Sequence, residues 1–444
     1  MIAMALTRRN LLTSAAGALI AAPLAGCVTQ EGPEQAFAPQ SITPIKPLSK
    51  SSVYVPGYMP NAAQVNGRPV KEDSYFARNI SDPARPFRLL TRIGMDGEAR
   101  QALLPAYAHD VEISPDSSVG VMCGFEATDQ VAFDPDTLDL VAVAPSFDKG
   151  WRGGGHAAYL GNGKTVLMSE RAPKQSLRDG KIEAHYGRIT IRDVDTLKIR
   201  GSYSTHGIDP HDIRLIENDR YLVVANYGSL RNASTGKMEV PRHVHEACVT
   251  IIDVDSGKLL DKRVTNRRDS ELRHLAAGAL DRIFAIQARL GSEADLARDL
   301  GHEREAYGED ITSEPGIAYR AAATLKMAKG KAPRQMGGRR DTAEMRHGLS
   351  IRYDAKHDQA IASYPSAHRL IIFDGASGAV LQSFDTHKMG LRFPCGITLL
   401  PDGVHYAVTG YWENLFVFER GSHRLNREAC LYPTFFGHSH ITAA

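Results

Sequence analysis

Beyond about residue 84 the apolar positions fall into short runs broken by turn-forming residues, with almost no helical periodicity. One pattern recurs: an apolar strand, an acidic residue, a turn, then a second strand. It occupies 131–141, 189–199, 249–259 and 370–380, with Asp134, Asp193, Asp253 and Asp374 closing the first strand, and a degenerate copy at 415–425 carries Glu419. Asp and Ser/Thr suit such turns because their side chains bond backbone N–H groups two or three residues on. A second pattern precedes it, strand, Pro-Asp or Asn-Gly type turn, strand, at 111–122, 157–168, 213–224 and 397–408. Joined, the halves give four-stranded units of roughly 40–60 residues, the size of a propeller blade. A β-sandwich would not repeat one double-hairpin unit along the chain. The prediction is an all-β, seven-bladed β-propeller with four-stranded blades. The C-terminal stub has room for one strand, so both termini must close the last blade, with 86–93 and 100–104 as candidate strands.

Aligning the blade starts exposes a second regularity. The residue before the first strand is His109, His156, His211, His274, His347, Cys395 or His440 in turn, although only 17 of 444 residues are His. The first strand of a blade lines the central channel, so these seven side chains are expected on a ring at the channel mouth. The blade-to-blade loops and the insertions near 171–187, 227–246 and 291–340 share that face, and sites tend to sit on loops over a rigid scaffold. A structural His network of the WD-repeat kind would need partner Trp-Asp pairs, yet neither Trp151 nor Trp412 precedes an Asp. Cys in place of His points to ligation. Imidazole and thiolate suit iron, copper or zinc, whereas calcium and magnesium want oxygen. At a solvent-filled mouth, affinity would fall as the pH drops toward ~6.5, because imidazole binds metal only when neutral.

The N-terminus addresses the protein. Thr7-Arg8-Arg9-Asn10-Leu11-Leu12 resembles a twin-arginine export signal; a weakly apolar run follows, and Leu24-Ala25-Gly26-Cys27 reads as a lipobox. Residues 1–27 are therefore expected to be a signal and Cys27 the lipidated start of the mature chain. Residues 28–83 would form a tether and N-terminal extension, and 84–444 the propeller. The protein is expected in the periplasm, membrane-bound through its lipid. Charge is nearly balanced, 53 Lys+Arg against 51 Asp+Glu, which leaves no nucleic-acid footprint. The four later cysteines, Cys123, Cys248, Cys395 and Cys430, show no tight spacing that argues for a disulfide.

Gly154-Gly155-His156-Ala157, Gly207-Ile208-Asp209-Pro210-His211-Asp212-Ile213, Leu222-Val223-Val224-Ala225-Asn226-Tyr227-Gly228, Leu272-Arg273-His274-Leu275-Ala276, Pro394-Cys395-Gly396-Ile397 and the terminal His440 together resemble an uncharacterised family of exported bacterial propellers, domain of unknown function fifteen-thirteen. Members typically accompany imelysin-type iron-uptake lipoproteins, so the resemblance implies periplasmic iron or copper handling, with imelysin-type proteins as partners. It supplies no reaction. The reading is a monomeric propeller lipoprotein that binds a transition metal, iron or copper rather than zinc, through its His/Cys ring. Two other classes stay open: a propeller-scaffold enzyme, either a metal-dependent oxidoreductase or a lactonase-like hydrolase, and a metal-free protein-binding propeller. Only Asp110, Glu112 and Asp212 could supply the carboxylates a lactonase-type site needs.

Overall fold

In the computed structural model the chain is a seven-bladed β-propeller. The structure describes residues 40–41, 44–48, 51–58, 64–65, 68–69, 88–106, 108–126, 130–144, 150–173, 182–228, 246–265, 270–290, 319–411, 413–434 and 440–444. Cys27 and the whole expected leader lie outside them, as do the middles of the three insertions. Among the described residues two short α-helices occur, Arg339–Ala343 and Thr386–Met389, and no helix is long and apolar enough to cross a membrane.

Each blade is an antiparallel meander. Blade 1 runs Ala108–Ile113, Gly120–Glu126, Val131–Phe133, Leu140–Val143. Blade 2 is Arg152–Tyr159, Thr165–Arg171, Tyr186–Asp193, Ile199–Ile208, and blade 3 is Pro210–Ile216, Tyr221–Asn226, Cys248–Asp253, Leu259–Val264. Blade 4 takes Ser270–Ala279 and Arg282–Leu290, then completes itself with Leu325–Lys326 and Arg334–Gln335, so the second half of the insertion expected at 291–340 is blade rather than loop. Blade 5 is Ser350–Asp354, Gln359–Tyr364, Arg369–Asp374, Val380–Asp385, and blade 6 is Pro394–Leu399, His405–Gly410, Glu413–Glu419, Leu431–Thr434.

The recurring acidic residue does what its position predicts. Asp193 Oδ1 accepts from the Thr196 N–H at 3.1 Å and its hydroxyl at 2.8 Å; Asp253 does the same with Ser256 and Asp374 with Ser377. The core sits in the seams between blades rather than within one. Val223, Val249 and Ile251 of blade 3 pack on Leu272, Leu275 and Ile283 of blade 4, and Val53, Val55 and Ile93 of blade 7 pack on Ala407, Leu415 and Val417 of blade 6. Alternating side chains of a strand face opposite seams, so each blade needs both neighbours to bury its apolar residues. Cys123, Cys248, Cys395 and Cys430 are all buried.

Blade 7 draws on both chain ends. Its innermost strand is Thr442–Ala443, which pairs with Ser52–Tyr58; Arg88–Gly94 and Glu98–Leu104 follow outward. Ser52 and Ala444 exchange both backbone hydrogen bonds, at 2.8 and 3.0 Å. Arg88–Gly94 and Glu98–Leu104 answer to the segments expected at 86–93 and 100–104, and Gln40–Ser41 pairs outside Glu98–Leu104. Ser52–Tyr58, however, lies within 28–83, upstream of the expected start of the propeller. Pro56 and Gly57 make that segment read as a turn, yet Val53 and Val55 are fully buried and supply the seam with blade 6.

Candidate metal centre

The site begins with a backbone irregularity. In the innermost strands of blades 1, 2, 3, 4 and 6 the ladder register shifts around the predicted ring residue: between Ala108 and Asp110, Gly153 and Ala157, Pro210 and Ile213, Leu272 and His274, and Pro394 and Ile397. A bulge inserts an extra residue and re-aims side chains that strict alternation would send to opposite faces. His109 with Asp110, and His211 with Asp212, can therefore both serve the channel. The seats are tied across blades: the Ser169 hydroxyl lies within bonding distance of the carbonyls of His156 and His211, 3.2 and 2.8 Å away.

Imidazoles from five blades converge. His211 Nε2 lies 3.0 Å from both His109 Nε2 and His274 Nε2, His109 Nε2 is 3.4 Å from His274 Nε2, and His440 Nε2 is 2.8 Å from His274 Nε2. His109, His156, His274 and His440 form a group whose ligand atoms all lie within 4.8 Å of one another, a group that could hold a metal ion, and His211 adjoins it. Metal–imidazole distances near 2.0–2.1 Å correspond to tetrahedral N···N edges of roughly 3.3 Å, close to the spacing here.

Two of the rings direct their protons away from the centre. His211 donates Nδ1–H to the Gly154 carbonyl at 2.5 Å, and His156 Nδ1 is 2.8 Å from Asp110 Oδ2 and 3.4 Å from Asp212 Oδ1. A carbonyl or carboxylate fixes the proton on Nδ1 and leaves the Nε2 lone pair facing inward. His156 Nε2 has no hydrogen-bond partner among the described residues. Gly154 is required for this arrangement: a Cβ there would stand 2.3 Å from Ser169 Oγ and 2.9 Å from the Pro210 carbonyl.

Burial keeps the cluster neutral. His156, His211, His274 and His440 are at most 1 % exposed. Desolvation, and then repulsion from neighbouring imidazoles, holds His109, His211, His274 and His440 well below the ordinary imidazole range. Burial brings His156 to about 3 against the pull of Asp212. The expected solvent-filled mouth is thus corrected: four of the imidazoles are buried groups and His109 is half-buried. Proton competition for a metal here moves to lower pH than the ~6.5 of a free imidazole.

Two layers enclose the cluster. On one side Tyr227 packs on His211 with ring centroids 4.7 Å apart, under the guanidiniums of Arg171 and Arg273; Arg171 pairs with Asp209 at 2.8 Å and Arg273 with Glu271 at 3.1 Å. On the other lie Asp110, Glu112, Asp212, Arg214 and Arg352. Val111 N–H donates to Asp110 and Leu275 N–H to Asp212, at 2.9 and 3.0 Å, while Arg214 spans Glu112 at 3.0 Å and Asp212 at 3.2 Å. Arg214 and Arg352 escaped the sequence reading, and Gly154 figured there only as part of a motif. The shared spacing of His109-Asp110-x-Glu112 and His211-Asp212-x-Arg214 was the available signal.

The remaining two ring positions, His347 and Cys395, are buried but are not members of the convergent group. His347 has a left-handed backbone, φ 58°, and lies upstream of Ser350–Asp354 rather than on the ladder. Cys395 has the same bulge as its counterparts, but a thiol ends one bond beyond Cβ, whereas imidazole Nε2 lies across a ring.

Comparison with known proteins agrees with the fold. Hydrazine synthase of Kuenenia stuttgartiensis is similar over 77 % of this chain and 93 % of its own, at 14 % identity and a TM-score of 0.52. A functionally unknown protein from Desulfotomaculum acetoxidans DSM 771 matches over 74 % of this chain and 80 % of its own, at 11 % identity and a TM-score of 0.41. At such identities the first likeness speaks to the fold alone. No curated protein matches the sequence. The family model described as "Protein of unknown function (DUF1513)" matches residues 102–436, from the end of the blade 7 strand Glu98–Leu104 past the last strand of blade 6, and the chain belongs to that family.

Proposed function

We propose that this protein is a periplasmic lipoprotein, anchored through Cys27, that holds iron or copper in its His cluster and serves the uptake or handling of that metal. The observation that carries the reading is the convergence of inward-facing Nε2 atoms from separate blades. Neutral imidazoles packed with unprotonated nitrogens at 2.8–3.4 Å repel one another unless a cation or a proton lies between them. Five imidazoles of low basicity, four of them buried, favour the cation. An all-nitrogen set suits copper, ferrous iron or zinc, and affinity within that series peaks at copper. The lactonase-like alternative is disfavoured, since Asp110, Glu112 and Asp212 are engaged by His156, backbone N–H groups and Arg214 rather than gathered into an oxygen cage.

The twin-arginine segment and lipobox support export and anchoring, and the family resemblance supports imelysin-type proteins as partners in the same compartment. The test is metal analysis of protein isolated from a periplasmic membrane fraction. Near-stoichiometric iron or copper, lost in a His274→Ala, His440→Ala double variant that keeps its β-sheet spectrum, is the expected result. Metal content unchanged in that variant would overturn the reading.

A further inference from the structure

The charged layer beneath the imidazoles has more in it than ligand orientation requires. Blade 1 gives Asp110 and Glu112, blade 3 Asp212 and Arg214, and blade 5 Arg352, whose guanidinium reaches the Ile441 carbonyl of the closing segment at 3.4 Å. Arg214 holds Glu112 and Asp212 together, and Asp212 in turn lies 3.4 Å from His156 Nδ1, so one guanidinium stands two contacts from a candidate ligand. On the opposite side Asp209 and Glu271 each face an arginine as well. Among the described carboxylates around the site, Asp110 is the one held by His156 and a backbone N–H instead of a guanidinium.

Neutral imidazoles bring no charge to an ion. Four of the five described carboxylates that could offset an ion's charge already face an arginine, which leaves Asp110. In a buried site, each further unit of charge on the metal then goes largely uncompensated, and charges interact far more strongly there than in water. We propose that this layer selects the lower-valent form of the metal, cuprous over cupric or ferrous over ferric, with Arg214 as the residue that sets the preference. The inference rests on the metal reading above. Removing the charge of Arg214 frees Asp212 and Glu112 to compensate a higher-valent ion; removing the charge of Glu112 does the reverse. A purely structural contribution would weaken both oxidation states alike.

The experiment uses copper, supplied as Cu(I) under anaerobic conditions and as Cu(II), each titrated into the full mature protein against a competing chelator. It is run near pH 8, where the Glu112 carboxyl, pushed up to about 7 by burial and then by Asp110, is ionised. The quantity read is the ratio of the Cu(II) and Cu(I) dissociation constants. Arg214→Met should shift that ratio about tenfold toward Cu(II), which is about 59 mV lower for a one-electron couple. Glu112→Gln should shift it toward Cu(I), and Arg214→Lys should restore the parent value. If Arg214→Met does not fold, the near-isosteric Glu112→Gln decides alone. A ratio that stays fixed, or moves the same way in Arg214→Met and Glu112→Gln, overturns the proposal while leaving metal binding intact. A parent protein that takes up neither ion overturns the metal reading itself, a result distinct from an unmoved ratio.

Discussion

Acidifying the metal-free protein from about pH 7.5 to about pH 5.5 should cost it a large part of its stability, and the sign follows from the buried imidazoles. His156, His211, His274, His347 and His440 are each at most 1 % exposed, and desolvation lowers all of them. In the unfolded chain each regains an ordinary value near ~6.5. Below that pH the unfolded state binds protons that the folded state refuses, so stability falls, and the fall continues to the folded value, about 3 for His156. Above ~6.5 neither state is protonated and nothing changes. Each such imidazole costs roughly 1–2 kcal/mol by pH 5.5. Glu112, raised to about 7, and Asp110, also raised, act in the opposite sense, since there the folded state holds the extra proton. The lowered imidazoles outnumber the two raised carboxyls, so a net loss of stability remains, against a typical total of about 5–15 kcal/mol. Urea unfolding of chelator-treated protein at both pH values, followed by circular dichroism, measures it. Bound metal should flatten the dependence, because a ligated nitrogen takes up no proton. Equal stability at the two pH values without metal would refute the argument that these imidazoles are buried and neutral.

Other consequences follow from particular residues. Asp110→Asn should lower metal affinity by roughly 10–100-fold, the usual cost of losing a carboxylate behind a ligating His, as read by chelator competition; unchanged affinity would mean His156 is not a ligand. Deleting 436–444 removes Ile441 and the strand Thr442–Ala443, opens the ring and exposes the edge of Ser52–Tyr58, so the melting temperature of the whole propeller should fall. An unaltered melting curve would show that closure by the C-terminus does not matter. Cys27→Ala should move the protein from the membrane to the soluble periplasmic fraction, and retention in the membrane would place the anchor elsewhere.

Much of the architecture was legible because a propeller writes its period into the turns. Asp193, Asp253 and Asp374 each recruit a Ser or Thr three residues on, a local requirement repeated in every copy. The inner-strand histidines were legible for the same reason, being equivalent positions of a repeat. What stayed hidden depended on the third dimension. Pro56 and Gly57 disguise a strand whose burial is decided by blade 6. The bulges that bring Asp110 and Asp212 to the channel beside His109 and His211 leave no mark on residue type. His347 carries the same sequence signature as its counterparts, but a positive φ sets its backbone apart. The depth of the cluster was also invisible, since a residue at the head of a strand can lie at a mouth or inside a channel.

The central claim, a metal held by imidazole nitrogens from several blades, is tested most directly by X-ray absorption at the metal edge of protein loaded with one equivalent of copper or iron. The account predicts a first shell of nitrogen at about 2.0–2.1 Å with the outer scattering of several imidazole rings, and no sulfur. A sulfur scatterer near ~2.3 Å would bring in a thiolate and contradict the separation of Cys395 from the cluster. A shell of oxygens without ring scattering would contradict the claim outright.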